Sequence, residues 1–223
     1  MFKAAGRHPG NAAGGIQDHH DSIFELKYEG FRALGYIDSG QCWLVSRRGT
    51  AYKSFPQLCT AIGAAIPGQA VLDGEIVHLD AQGKPRFYDL MRRRNPQHYY
   101  AFDLLWLDGH DLRELPLIKR KQMLKRLIRP PVLYADHIER RGVDLFEATC
   151  AGDLEGIVAK LAAGRYEPTA TTWVKIKNPA YSQAEGRADF FAVTSTRVYP
   201  TRLGAGAVGA LYREKGPRAL RLW

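Results

Sequence analysis

A chain of 223 residues with 45% hydrophobic and 25% charged side chains can bury one sizeable core, and this composition excludes a disordered or fibrous protein. The 32 basic against 23 acidic side chains leave a formal charge of +9, which favours a polyanionic partner such as nucleic acid. Cys42, Cys59 and Cys150 are odd in number and form no Cys-x-x-Cys pair, and no apolar run approaches the ~20 residues of a bilayer span, so a reducing cytoplasm and no membrane partner are expected.

Met1 to His20 is rich in Gly and Ala without periodicity and reads as a flexible N-terminal tail. Its end, Asp18-His19-His20-Asp21, has nothing to orient it as a metal site. Phe24, Leu26 and Tyr28 then alternate with Glu25 and Lys27, which places the acid and the lysine on one face of a strand. Glu29-Gly30 reads as a tight hairpin turn with Gly30 at positive φ, so Phe31 to Tyr36 would return beside the first strand and bring Arg32 close to Lys27. A lysine is nucleophilic when cations or desolvation favour its neutral amine, and Arg32 is the candidate cation.

Cys42 to Ser46 is the next strand and ends in Ser46-Arg47-Arg48-Gly49. A helix starts at Ser54-Phe55-Pro56, with Pro56 in its first turn and Leu58, Ile62 and Ile66 at helical spacing. Gln69 to Leu79 is a strand in which Asp73 and Glu75 interrupt an apolar run on one face, a placement that core packing does not require. Asp80 to Gly83 is a turn, and Tyr99 to Leu107 is the most apolar strand. Leu117 to Ile128 is an amphipathic helix whose Lys119, Arg120, Lys121, Lys125 and Arg126 read as a solvated face.

Val132 to Ile138 reads as one strand, Gly142 to Cys150 as a short helix and Leu154 to Lys160 as another strand. In Trp173 to Lys177 the alternation sets Trp173, Lys175 and Lys177 on one face, and two adjacent lysines call for an anion such as a phosphate chain. Beyond Pro179 come short strands with glycine-rich turns. Gly204 to Gly209 matches Gly-x-Gly-x-x-Gly in form, but reads as a hairpin connection because the later acid and strand of a dinucleotide fold do not follow.

The unusual positions, Glu25, Lys27, Arg32, Arg47, Glu75, Phe102, Glu155, Lys160, Lys175 and Lys177, combine a lysine nucleophile, acids able to hold Mg²⁺, an aromatic able to stack on a base, and cations for phosphates. In order and wording they resemble the lysine-dependent nucleotidyltransferases: DNA ligases, RNA ligases and mRNA capping enzymes. Lys27-Tyr28-Glu29-Gly30-Phe31-Arg32 is similar to the family's Lys-x-Asp-Gly-x-Arg, with Glu29 in the Asp position. Ser46 to Gly49, Asp73-Gly74-Glu75, Phe102 to Gly109, Glu155 to Lys160 and Trp173 to Lys177 resemble the motifs that follow it. The wording is most like bacterial ATP-dependent DNA ligases, including the ligase domain of multifunctional end-joining enzymes.

The resemblance implies an α+β, ATP-grasp-like nucleotidyltransferase fold of antiparallel sheets flanked by helices, at residues 21–185, followed by a truncated OB-like β segment at 186–223. It also implies that Lys27 takes AMP from ATP and passes it to the 5′-phosphate of nicked double-stranded DNA. By the same resemblance Glu25, Phe102, Arg32, Arg47, Glu75, Lys160, Lys175 and Lys177 bind the nucleotide, and Glu75 and Glu155 bind Mg²⁺ or Mn²⁺. Residues 1–26 leave no room for the domain that reads nicotinamide mononucleotide in NAD-dependent ligases, so ATP is the expected donor. The short OB segment implies a partner chain or second copy to complete it. RNA end sealing and a non-catalytic ATP- or DNA-binding module are the alternatives.

Overall fold

A computed structural model describes residues 18–167 and 173–184. Ser22–Leu26 (β1), Phe31–Asp38 (β2) and Gln41–Ser46 (β3) precede the helix Pro56–Ala65 (α1), which has Pro56 in its first turn as expected. Gln69–His78 (β4), Phe87–Met91 (α2), Gln97–Leu107 (β5), His110–Asp111 (β6) and Leu117–Leu127 (α3) form the middle of the chain. Val132–Tyr134 (β7), His137–Glu139 (β8), Gly142–Ala151 (α4), Gly156–Leu161 (β9) and Val174–Lys177 (β10) follow, with a 3-10 turn at Ser182–Ala184.

The strands form two sheets, one ordered β3-β2-β4-β5-β6 and one ordered β10-β9-β1-β8. The fold is α+β, as expected. Every pairing between these strands is antiparallel except that β7 adds to the larger sheet parallel to β5. The central strands are apolar on both faces because both are covered. Ala33 and Ile37 of β2 pack with Leu72 and Ile76 of β4 and with Leu58 and Ile62 of α1, whereas Leu34 and Val71 point to the other side with Leu105 and Tyr166. That second side faces the cleft.

The structure corrects the expected hairpin. Strands β1 and β2 belong to different sheets, so the chain crosses between sheets at residues 27–30. Neither Glu29 nor Gly30 is in the left-handed region. Gly30 is needed for a different reason: a Cβ there would run into the backbone carbonyl of Ile76 on β4. Gly30→Ala is therefore expected to destabilise the chain by roughly 1–3 kcal/mol, the cost of overpacking against backbone, read from the midpoint of urea unfolding. A wild-type midpoint would contradict this close approach.

A second correction concerns residues 132–138. The single strand expected there divides, because β7 pairs with β5 in the larger sheet and β8 pairs with β1 in the smaller one. Ala135 lies at the crossing and donates its N–H to the carbonyl of Ala101 at 2.9 Å.

A third concerns the basic helix. Arg120 and Lys121 are wholly buried, not part of a solvated face. Residues 1–17 of the expected tail and all of the expected OB segment lie outside the described residues. Among the described residues no helix is long and apolar enough to cross a membrane, and no group of three His, Cys, Asp or Glu side chains converges as for a metal.

Candidate active site

Strand β9 lies between β1 and β10, and its register aligns the side chains that matter. Glu25, Val158 and Lys175 form one row across the sheet, and Lys177 lies opposite Gly156. Because side chains alternate with period two, Glu25, Lys160, Lys175 and Lys177 project to the same face. Lys27 sits just past the end of β1, where its N–H still donates to the Gly156 carbonyl at 2.9 Å. Its Nζ is 2.5 Å from Glu155 Oε1, and both side chains are largely buried. Glu155, expected as a metal ligand, is thus also the ion partner of the candidate nucleophile.

The larger sheet forms the facing wall. Arg32 is opposite Glu75 in the β2–β4 register. It is held by a fork of two hydrogen bonds to Asp73, from Nε at 3.1 Å and Nη2 at 2.6 Å, and the Tyr166 hydroxyl donates to the same carboxylate at 2.9 Å. Burial opposes the Arg32 charge, but Asp73 outweighs it and holds the guanidinium above its ordinary range. Arg32 is therefore not the unmatched cation beside Lys27 that a hairpin would have made it.

Among the described residues the Glu75 side chain makes no ion pair and no hydrogen bond, although its backbone lies within the β2–β4–β5 ladder. Burial pushes its carboxyl up to about 8 against the pull of Lys27 and Arg32, with Asp73 and Glu155 adding to the rise. Lys175 is depressed by burial and by the charges of Lys27, Arg32 and Arg47, while Glu75 opposes that shift. Arg47, on the exposed turn after β3, is thereby brought into the same field as Lys27, Arg32 and Lys175. Lys177 is exposed two residues further along the same strand. These converging cations have the chemistry to hold a polyphosphate against Lys27.

Glu25 and Phe102 close the other end. Glu25 is buried, with Lys160 2.5 Å from one carboxylate oxygen and Lys121 2.6 Å from the other. Lys160 Nζ also lies 4.4 Å from the Phe102 ring centroid and 4.0 Å from that of Trp173, so it is enclosed by a carboxylate and two rings. The Phe102 and Trp173 rings meet edge to face at 5.6 Å. Glu29 is buried and accepts a hydrogen bond from the Tyr181 hydroxyl at 2.5 Å, so its longer side chain reaches a partner from the end of the chain's described part.

Burial alone would raise the Glu25 carboxyl, but Lys160 and Lys121 outweigh it and hold it below the ordinary carboxylate range. A depressed acid contributes stability that is complete above its unfolded value and lost as pH falls through the folded one. Unfolding free energy should therefore fall as the solution is acidified below about pH 4.5, and Glu25→Gln should flatten that limb while lowering stability at pH 7. Chemical denaturation at a series of pH values checks this, and an unaltered acid limb in Glu25→Gln would count against it.

Every expected site residue is described: Lys27, Glu75, Glu155, Arg32, Arg47 and Lys175 come together around the cleft centre, Glu25, Phe102 and Lys160 at its buried end, and Lys177 lies exposed on the same face of β10 as Lys175. Sequence reasoning missed Tyr166, which has no periodic signal in its loop. It also misread Lys121, whose signal was present: Arg120 and Lys121 follow Leu117 by three and four residues, on the stripe that continues to buried Leu124.

A family profile described as an ATP dependent DNA ligase domain matches residues 13–177. The multifunctional non-homologous end joining protein LigD of Pseudomonas aeruginosa is 29% identical over 210 residues, covering 89% of this chain and 24% of that protein. The solved ligase domain of Mycobacterium tuberculosis LigD is 30% identical with a TM-score of 0.64, over 75% of this chain and 56% of that one. A mycobacterial DNA ligase D complexed with ATP and MES is 29% identical with a TM-score of 0.63, over 75% of this chain and 57% of that one. The chain thus spans about a quarter of the length of the curated relative and just over half of each solved chain.

Proposed function

The chain belongs to the ATP-dependent DNA ligase domain family, and from that premise we propose that Lys27 accepts AMP from ATP and passes it to the 5′-phosphate of nicked DNA. The observation that carries this reading is the placement of the Lys27 amine against Glu155, beside Glu75 and within the field of Arg32, Arg47 and Lys175. Lys27 Nζ would form a bond to the α-phosphorus of ATP as the bond to the pyrophosphate oxygen breaks, giving a phosphoramidate and releasing pyrophosphate. In the next step a 5′-phosphate oxygen takes the AMP from Lys27, which recovers its amine. Attack by the 3′-hydroxyl then expels AMP and closes the strand.

Each wall has a part in this. Arg32, Arg47, Lys175 and Lys177 would bind the phosphates and stabilise charge as it builds on the transferring group. Phe102 would stack on the base, and Glu25 would accept from its amino group. Glu75 and Glu155 suit Mg²⁺ or Mn²⁺ because such ions bind through one or two carboxylates plus substrate phosphates, and the Glu75 carboxylate has no ion pair or hydrogen bond among the described residues. When bound, the ion supplies charge that offsets the phosphate oxygens.

The formal charge of +9 supports a nucleic-acid substrate. The ATP-bound mycobacterial neighbour and the end-joining relative support ATP as donor and DNA repair as the setting. The test is incubation of the chain with Mg²⁺ and α-labelled ATP, followed by denaturing electrophoresis and addition of nicked DNA or nicked RNA. Label that stays with the protein and is discharged by nicked DNA is the expected result. Absence of label would overturn the reading, and discharge by RNA alone would turn it toward RNA end sealing.

A further inference from the structure

Lys121 is wholly buried on α3, and no expected role in the reaction uses it. Its ammonium has three N–H donors, and three oxygens surround it. Glu25 Oε1 is at 2.6 Å, the Ala135 carbonyl at 2.8 Å and the Phe102 carbonyl at 3.4 Å. These belong to β1, to the crossing between β7 and β8, and to β5, so one side chain ties the two sheets together where the cleft ends. The Tyr134 ring covers it, 4.7 Å from Nζ to the centroid. Held by two carbonyl hydrogen bonds and an ion pair, Lys121 acts through its neighbours, and two of those neighbours are Glu25 and the backbone of Phe102.

Core packing does not account for a charge here. An apolar side chain between Leu117 and Leu124 would avoid the desolvation of an ammonium, and Arg120 already anchors the helix to Asp103. Lys160 by itself would hold one oxygen of Glu25 and leave the carboxylate free to turn about that contact. A second cation on the other oxygen fixes its plane, with lone pairs remaining for a ligand donor.

We propose that Lys121 is a positioning residue for the nucleobase: it sets the plane of the Glu25 carboxylate and the placement of Phe102, and through them the preference for a purine with an exocyclic 6-amino group. The inference rests on the nucleotidyl-transfer reading above. A carboxylate held in this way accepts from an amino group and repels the carbonyl that stands there in inosine, so discrimination depends on its orientation as much as on its charge.

The experiment compares kcat/KM for labelling of the full chain with α-labelled ATP and with α-labelled ITP, Mg²⁺ present throughout. Lys121→Met is expected to lower the ATP:ITP ratio by roughly ten- to a hundredfold, the scale of a lost hydrogen-bonded charge, mainly by raising the KM for ATP. In the Lys121→Met/Glu25→Gln double variant the ratio should be no lower than in Glu25→Gln alone, because Lys121 acts through Glu25. A purely structural role would lower both nucleotides alike and add to the Glu25→Gln effect, and that result would overturn the proposal. If Lys121→Met does not fold, Lys121→Gln is read in its place, since it keeps an N–H donor while losing the charge. Failure of both to fold would assign Lys121 to the core alone and also overturn the proposal. A wild-type chain that takes no label at all would sink the nucleotidyl-transfer reading, and this inference with it. A labelled wild type with an unchanged ratio in the variants would sink only the inference.

Discussion

Lys27→Arg is expected to reduce covalent labelling by at least about 10³-fold, as loss of a nucleophile does, while leaving the fold intact. The substitution is chosen over alanine because of the ion pair at 2.5 Å between Lys27 and the buried Glu155. Alanine would strand that carboxylate without its cation, and lost stability could then be confused with lost chemistry. A guanidinium keeps the positive charge beside Glu155 but stays protonated and has no lone pair to attack phosphorus. A melting temperature near that of the wild type, together with absence of label, places the defect in the chemical step. Label that persists in Lys27→Arg would mean that another side chain takes the AMP. The role of Lys27 would fall, although family membership would stand.

Arg120→Ala should produce the largest loss of stability, about 3–5 kcal/mol, the range for removing one partner of a buried ion pair. Neither Arg120 nor Asp103 is exposed, and the pair is bidentate, with Nε to Oδ1 at 2.8 Å and Nη2 to Oδ2 at 2.9 Å. Arg120 also donates to the carbonyls of Leu115 and Gly164, so it joins α3 to β5 and to the loop that leads to Tyr166. Its removal leaves Asp103 buried and uncompensated. A domain of this size is held by only ~5–15 kcal/mol in total, so a large share of the margin would go.

The pH dependence of that loss gives a second readout. Burial already holds the Asp103 carboxyl above its ordinary value although Arg120 pulls it down. Without Arg120 it rises further, and a raised acid favours folding at low pH and loses that contribution as pH climbs through the folded value. The deficit of Arg120→Ala should therefore be smaller near pH 4 than near pH 7, as measured by urea unfolding. Replacement of both partners, Arg120→Met/Asp103→Leu, should cost much less than Arg120→Ala, because no charge is then left without a partner. A double variant as unstable as the single one would show that the lost contacts to Leu115 and Gly164, not the stranded carboxylate, dominate.

These two variants lie on opposite sides of what could be read in advance. Local signals were sufficient for the elements: period-two alternation marked β1 and β10, an apolar run interrupted by Asp73 and Glu75 marked β4, Pro56 marked the start of α1, and apolar spacing marked α3. The ordered motifs were sufficient for the family, with Lys27 as the residue of interest. The partition of strands between sheets was not legible, since β1 and β2 look like two arms of a hairpin and residues 132–138 look like one strand. Glycine at position 30 suited a turn equally well, and only the carbonyl of Ile76 lying against it reveals the actual constraint.

The candidate site divides in the same way. Alternation along β10 put Lys175 and Lys177 on one face, and the sheet register does bring that face to Glu25 and Lys160. Composition, spacing and motif order thus determined the class of fold, the family and most of the charged side chains around Lys27. Tertiary structure alone decided their partners: Asp73 and Tyr166 on Arg32, Glu155 on Lys27, and Lys121 with Lys160 on Glu25. The reason is that alternation and helical spacing are local properties of the backbone, whereas an ion pair between residues 25 and 160 exists only after β1 and β9, far apart in the chain, have paired in one sheet. A lysine at position 121 carries the same charge on a solvated face as in a core, and its role is set by the buried carboxylate it meets.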